Sequence, residues 1–121
     1  MKYLALIYVS EKEQMSKGEA HMKGLFDEYW GYEAYLKKER PGKKLAGEAL
    51  QPIATATTLR IRDGKRMVID GPFAETKEQL GGFYLYDAAN LDEALDLASR
   101  IPDAKNGSIE VRPLMVFDAM P

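Results

Sequence analysis

The chain has 121 residues, 45% of them hydrophobic and 30% charged, with 17 basic against 19 acidic side chains. That length fits one domain spanning 1–121; the near-neutral balance argues against a nucleic-acid surface, and the hydrophobic content excludes a disordered chain. With no cysteine, disulfides, thiol nucleophiles and Cys-ligated zinc are excluded, and a reducing cytoplasm is the expected setting.

Residues 2–9 read as a strand with two apolar faces: Tyr3, Ala5, Ile7 and Val9 on one, Leu4, Leu6 and Tyr8 on the other. Such a strand belongs in a sheet covered on both sides. In a chain this short two helices cover one face, so the other calls for a second copy and the expected partner is the chain itself, a homodimer through the sheet. The apolar run ends at Ser10-Glu11-Lys12-Glu13, too soon for a signal peptide. No run approaches the ~20 residues that span a bilayer, so no membrane partner is expected.

Residues 10–18 are polar and read as a loop. From about 19 to 38 the spacing predicts a helix, with Met22, Leu25, Phe26, Tyr29, Trp30 and Leu36 recurring at three and four residues; Arg40-Pro41-Gly42 stops it. Two short strands follow, over 44–50 and 55–62. Asp63-Gly64 is a tight-turn dipeptide that makes a hairpin of 55–62 and 66–69, with Arg60 and Arg62 on its exposed face. Phe83–Tyr86 is another strand. Asn90, with Glu93 three residues on, caps a second helix whose apolar face is Leu91, Ala94, Leu95, Ala98 and Ile101. Pro102 and Asn106-Gly107 end it, and 109–117 closes as a strand. The order β, α, β, hairpin, β, α, β implies an α+β fold, a ferredoxin-like sandwich with two helices on one face of a mostly antiparallel sheet.

The most unusual stretch is Asp70-Gly71-Pro72-Phe73-Ala74-Glu75-Thr76-Lys77-Glu78, followed by Gly81-Gly82-Phe83. Gly71 permits unusual dihedrals and Pro72 fixes a turn. Phe73 is expected to drop into the body as an anchor, residues 74–79 to make about one helical turn, and Gly81-Gly82 to suit a bulge or a close backbone approach. Either this is a clasp, or it carries Asp70, Glu75, Lys77 and Glu78 to the rim of a pocket.

This stretch resembles the signature of the DGPF branch of the YCII-related family. Gly47-Glu48-Ala49-Leu50-Gln51-Pro52, Ala56–Arg60, Asp92-Glu93-Ala94 and Gly107–Pro113 look like the same family, so the likeness covers roughly residues 1–117. It implies a ferredoxin-like domain that dimerises through its sheet, the dimeric α/β-barrel arrangement. Members of the branch are often encoded beside extracytoplasmic-function sigma factors, which implies a regulatory setting. Related proteins carry a His–Asp pair in a cleft, and one degradative relative acts on chlorinated muconolactones, which implies lactone or isomerase chemistry.

On that resemblance the lone histidine, His21, takes the place of the family histidine, as a general base oriented by a carboxylate. Asp27 does not share its helix face, which leaves Asp70, brought near only by the fold; the alternative is a solvated histidine in the first helical turn. Arg112 in Glu110-Val111-Arg112-Pro113 either pairs with Glu75 or Asp70 or holds an anionic ligand. Of Tyr29, Trp30, Tyr32 and Tyr35 some form the helix's core face, while Tyr32 and Tyr35, partly off the stripe, are candidates for a cleft or a subunit contact. One histidine and no spaced carboxylate motif speak against a metal, and no phosphate loop or nucleophile elbow calls for a cofactor.

Two functions follow. In one, a homodimer binds a small molecule in a pocket beside the signature loop, reached by at least two of His21, Asp70, Glu75 and Arg112, with Lys77 and Tyr32 as further ligand contacts. In the other, a non-catalytic accessory module uses the loop as a clasp, with Asp70 on backbone amides and Glu75 on an arginine.

Overall fold

A computed structural model of the chain describes residues 1–118. Strand β1 (Lys2–Val9) is followed by two helices, α1 (Glu11–Ser16) and α2 (Gly18–Glu39). Strand β2 (Lys44–Ala49), the hairpin β3 (Thr57–Arg62) and β4 (Lys65–Asp70), β5 (Gln79–Asp87), α3 (Leu91–Ser99) and β6 (Ser108–Pro113) complete the chain. Four strands make one sheet in the order β2-β5-β1-β6, every pair antiparallel, and β3-β4 stand apart as a two-stranded ribbon. Setting the ribbon aside, the fold is a mixed α+β one whose strand order is compatible with a ferredoxin-like sandwich.

The register explains the core. Tyr3 lies opposite Tyr86 and Ala5 opposite Tyr84, and these four are buried with Ile7 on one face of the sheet. Tyr32 and Leu36 of α2 and Ala94, Leu97 and Ala98 of α3 pack on that face. Leu4, Leu6, Tyr8, Phe83 and Leu85 point the other way, half-buried and outside the core cluster. Ile7 pairs with Gly82 and Tyr8 with Leu80, which leaves Gly81 as the extra residue of a bulge. At Gly82 a Cβ would stand 2.7 Å from the Glu48 carbonyl oxygen, so only glycine lets β2 and β5 approach there.

Several elements differ from expectation. Residues 11–16 are helical rather than loop because Ser10 is an N-cap, its Oγ accepting from the Glu13 N–H at 3.2 Å, with Glu11 and Glu13 in the first turn favoured by the helix dipole. In α2 the buried stripe is Leu25, Tyr32 and Leu36, with Tyr29 half-buried beside it. Trp30, one step around the helix, is 72% exposed and Phe26 is also exposed. The strand expected from residue 55 begins at Thr57, because Pro52 leads into a 3₁₀ turn over Ile53–Thr55. The last strand ends at Pro113, which has no N–H to offer the ladder; Leu114 still donates to the Lys2 carbonyl, but residues 115–117 are exposed and outside the sheet.

Candidate functional site

The signature loop begins where β4 ends. Gly71 sits at φ +100, in the left-handed region. Its N–H donates to the Ala56 carbonyl at 2.7 Å and its own carbonyl accepts from Thr58 Oγ1 at 2.8 Å, so the loop is clamped to the base of the hairpin. Phe73 is 76% exposed and so does not anchor the loop in the core of the described residues, and residues 74–78 bend without a helical turn. Polar contacts replace the anchor. Thr76 Oγ1 donates to the Glu78 carbonyl at 2.6 Å, Gln79 Nε2 donates to the Thr76 carbonyl at 2.7 Å, and Ser108 Oγ donates to Glu78 Oε1 at 2.9 Å.

Gln79 also joins the loop to α1, its Oε1 accepting from the Glu11 N–H at 3.0 Å. The Glu11 carboxylate in turn accepts from the Ile53 N–H, at 3.0 and 3.2 Å. Helix α1, the 3₁₀ turn and the signature loop thereby enclose a cleft of about 750 Å³. Ser10, Lys12, Glu13 and Ser16 form one wall, and Pro72, Glu75, Thr76 and Lys77 the other. Two ammonium groups and two carboxylates converge on it, and among the described residues none of the four is ion-paired.

His21 belongs to a different group of side chains. Its Nε2 lies 2.6 Å from Gln14 Oε1, and Gln14 Nε2 donates to Asp103 Oδ1 at 3.1 Å. Asp103 also accepts from Tyr29 OH at 2.6 Å and from Asn106 Nδ2 at 3.0 Å. Gln14 and Asp103 are 6% and 7% exposed. The order of donors follows from the chemistry: the carboxylate takes the Gln14 NH2, so Gln14 turns its oxygen to His21 and Nε2 of His21 carries the hydrogen. Burial, and then the bond to Asp103, push the Tyr29 phenol well above its ordinary value.

The other candidates are dispersed. Asp70 is exposed at the hairpin base opposite Thr57, and among the described residues its carboxylate is hydrogen-bonded neither to His21 nor to a backbone amide. Arg112 is exposed on β6 opposite Leu4, and among the described residues it pairs with neither Glu75 nor Asp70. Glu75 meets no arginine. Of His21, Asp70, Glu75 and Arg112, only Glu75 lines the cleft, joined by Lys77.

Tyr32 is in the core, where its OH donates to the Leu97 carbonyl at 2.8 Å and accepts from Tyr86 OH. Burial pushes the Tyr32 phenol up to about 12 and those of Tyr84 and Tyr86 higher still. With Tyr35, Glu28, Arg100, Pro102 and Lys105, Tyr32 also lines a smaller cavity of about 300 Å³. Among the described residues no group of three His, Asp or Glu is placed to hold a metal ion, and no helix is long and apolar enough to cross a membrane.

Sequence reasoning missed Gln14, Asp103, Lys12 and Gln79. Ser10-x-x-Glu13 is a capping-box pattern that announces α1, and with it the first wall of the cleft. Asp103 carries no local signal, since it meets Gln14 only through the fold.

The YCII-related domain family matches residues 1–118, and the chain belongs to it. An uncharacterised protein of Rhizobium meliloti (strain 1021) is 57% identical over 70 residues; the match spans 56% of either chain, so this chain covers only about half the length of that relative. Among solved structures, a 5-chloro-2-hydroxyhydroquinone dehydrochlorinase from Burkholderia phenoliruptrix AC1100, in complex with 2,5-dihydroxybenzoquinone, superposes with a TM-score of 0.51 at 18% identity. That likeness covers 95% of this chain and 94% of the other, and it is a likeness of fold.

Proposed function

We propose that the chain is a cytoplasmic, small-molecule-binding homodimer of the DGPF branch of its family, and that its ligand occupies the cleft between α1 and the signature loop. The observation that carries this reading is the wall of the cleft: the loop that marks the branch supplies Pro72, Glu75, Thr76 and Lys77 to it. Lys12, Glu13, Glu75 and Lys77, which form no ion pair among the described residues, suit a ligand better than a clasp.

The ligand class follows from the lining. Lys12 and Lys77 can take a carboxylate or an enolate-like oxygen, Glu13 and Glu75 can accept from hydroxyls, and Pro72 and Ile53 provide apolar contact. A small oxygenated organic acid or lactone has that combination of groups. The hydroxybenzoquinone in the dehydrochlorinase of similar fold is a molecule of comparable size, which supports the class at the level of analogy. Lactone or isomerase-type chemistry with His21 as base would need a ligand that reaches beyond this cleft, because His21 is bound to Gln14 and is not among the lining residues.

The separation of His21 from Asp70 favours a second reading, a non-catalytic accessory module associated with extracytoplasmic-function sigma factors. A thermal-shift screen of small carboxylic acids, hydroxyquinones, lactones and nucleotides separates the two. The binding reading expects one chemical class to stabilise the wild type and to lose that effect in Lys12→Ala/Lys77→Ala. Stabilisation by no class would leave the accessory module.

A further inference from the structure

The β3–β4 hairpin leaves the body of the protein without packing on it. Of its twelve strand residues only Thr58 is even partly buried. Leu59 pairs with Val68 and Ile61 with Arg66, so Leu59, Ile61 and Val68 share one face, each more than half exposed. The turn itself is tight, with Asp63 at φ 52 and Gly64 at φ 73. Two-stranded ribbons are marginal in water on their own, and an exposed apolar ribbon face is an interaction surface.

The charges of the hairpin and the sheet identify what covers it. The hairpin carries Arg60, Arg62, Lys65 and Arg66 against Asp63 and Asp70, in a chain whose net charge is −2; the body is therefore acidic and the arm basic. On the sheet face away from the helices, the register sets Glu48 opposite Phe83, Phe83 opposite Leu6 and Leu6 opposite Glu110. That row reads carboxylate, apolar, apolar, carboxylate, with both glutamates exposed. Leu59, Ile61 and Val68 match its apolar centre and Arg66 its glutamates; Asp70 shares that ribbon face at the base of the arm, and Arg60, Arg62 and Lys65 lie on the other face.

We propose that the hairpin is an exchanged arm, and that its Leu59–Ile61–Val68 face lies on the Glu48–Phe83–Leu6–Glu110 row of a second copy of this chain. The proposal rests on the homodimer reading above and deepens it by naming the element that closes the dimer. It also ties the dimer to the ligand cleft. Gly71 is clamped to Ala56 and Thr58 at the base of the arm, so an arm held by the partner fixes the start of the loop that walls the cleft.

Sedimentation equilibrium of three proteins tests it: the wild type, Leu59→Thr/Ile61→Thr, and Leu6→Asp. Threonine keeps the strand preference of the arm while removing its apolar face, and both positions are exposed within the chain, so the circular-dichroism spectrum should not change. The expected result is a wild-type dimer whose dissociation constant rises at least about tenfold in the arm variant, with Leu6→Asp weakened as well. In a second arm, Arg66→Glu chains should dimerise weakly with themselves and regain affinity when mixed with Glu48→Lys/Glu110→Lys chains. A wild-type dimer that Leu6→Asp breaks and the arm variant leaves unchanged overturns the arm and spares the sheet dimer. A wild type that is monomeric at every concentration overturns both, and hairpin-dependent binding of that monomer to anionic vesicles would assign the surface to a lipid instead.

Discussion

Asp103 shows how much one side chain can organise. Its carboxylate accepts from Gln14 in α1, Tyr29 in α2 and Asn106 just before β6, so three elements meet on one buried acceptor. Among the described residues every buried side-chain polar atom has a partner, which is the condition under which a polar cluster rigidifies a fold instead of weakening it. Asp103→Ala would leave three donors facing a void. We expect it to lower stability by about 3 kcal/mol, read from urea denaturation, and to release the Nε2-H form of His21, read from the nitrogen shifts of its imidazole. Unchanged shifts would mean that Gln14 alone orients the ring.

At the scale of elements, α1 decides whether the cleft exists. The helix has six residues and leans on its Ser10 cap. Ser10→Ala is expected to cost about 1 kcal/mol in chemical denaturation and to weaken ligand stabilisation in the same protein, since Lys12 and Glu13 ride on that helix. A variant that loses stability but keeps the full ligand-induced shift would show that α1 is not a wall of the site. The long elements were legible because hydrophobic period and turn chemistry agree in them: the two-faced strand at 2–9, the helix from 19 to 38, the Asp63-Gly64 hairpin and the Asn90 cap. The loop was misjudged at Phe73 because a large apolar side chain reads as an anchor, whereas backbone and amide hydrogen bonds hold residues 71–79. The His21–Gln14–Asp103 group was not legible, because Asp103 lies 89 residues from Gln14 in the chain and only the packing of α1 and α2 on the segment after α3 joins them.

At the scale of the molecule, the core is rich in phenols. Tyr84 stacks on Tyr86 with ring centroids 5.8 Å apart and meets Tyr32 edge-on at 5.3 Å. Glu33 accepts from Tyr84 OH at 3.0 Å and from Lys44 Nζ at 2.7 Å, which closes the layer between sheet and helix. Burial raises the folded-state pKa of Tyr29, Tyr32, Tyr84 and Tyr86 above the ordinary 10.0. Above that value the unfolded chain gives up protons that the folded one keeps, so stability falls with rising pH. Their contribution is complete below pH 10.0; that of Tyr32 is lost as the pH climbs toward about 12, and those of Tyr29, Tyr84 and Tyr86 go on falling beyond it. Alkaline unfolding should therefore be cooperative, with tyrosinate absorbance appearing together with loss of helix; gradual ionisation of all seven tyrosines in a still-folded chain would contradict this packing.

The acidic side has its own limit. Glu93 is held below the usual carboxylate range by the Ala89 N–H and then by Lys43, in the cluster that ties α3 to Arg40 and Lys43. The stability this gives is present above the ordinary glutamate pKa and is lost as pH falls through the depressed one.

On the reading proposed above, the cleft between α1 and the signature loop binds a small molecule. Its most direct test is amide chemical-shift mapping by NMR during titration with a compound that raises the melting temperature. A ligand in the cleft should concentrate the perturbations at Lys12, Glu13, Glu75, Thr76 and Lys77. Perturbations centred on Tyr32, Tyr35 and Arg100, around the smaller cavity, would contradict it.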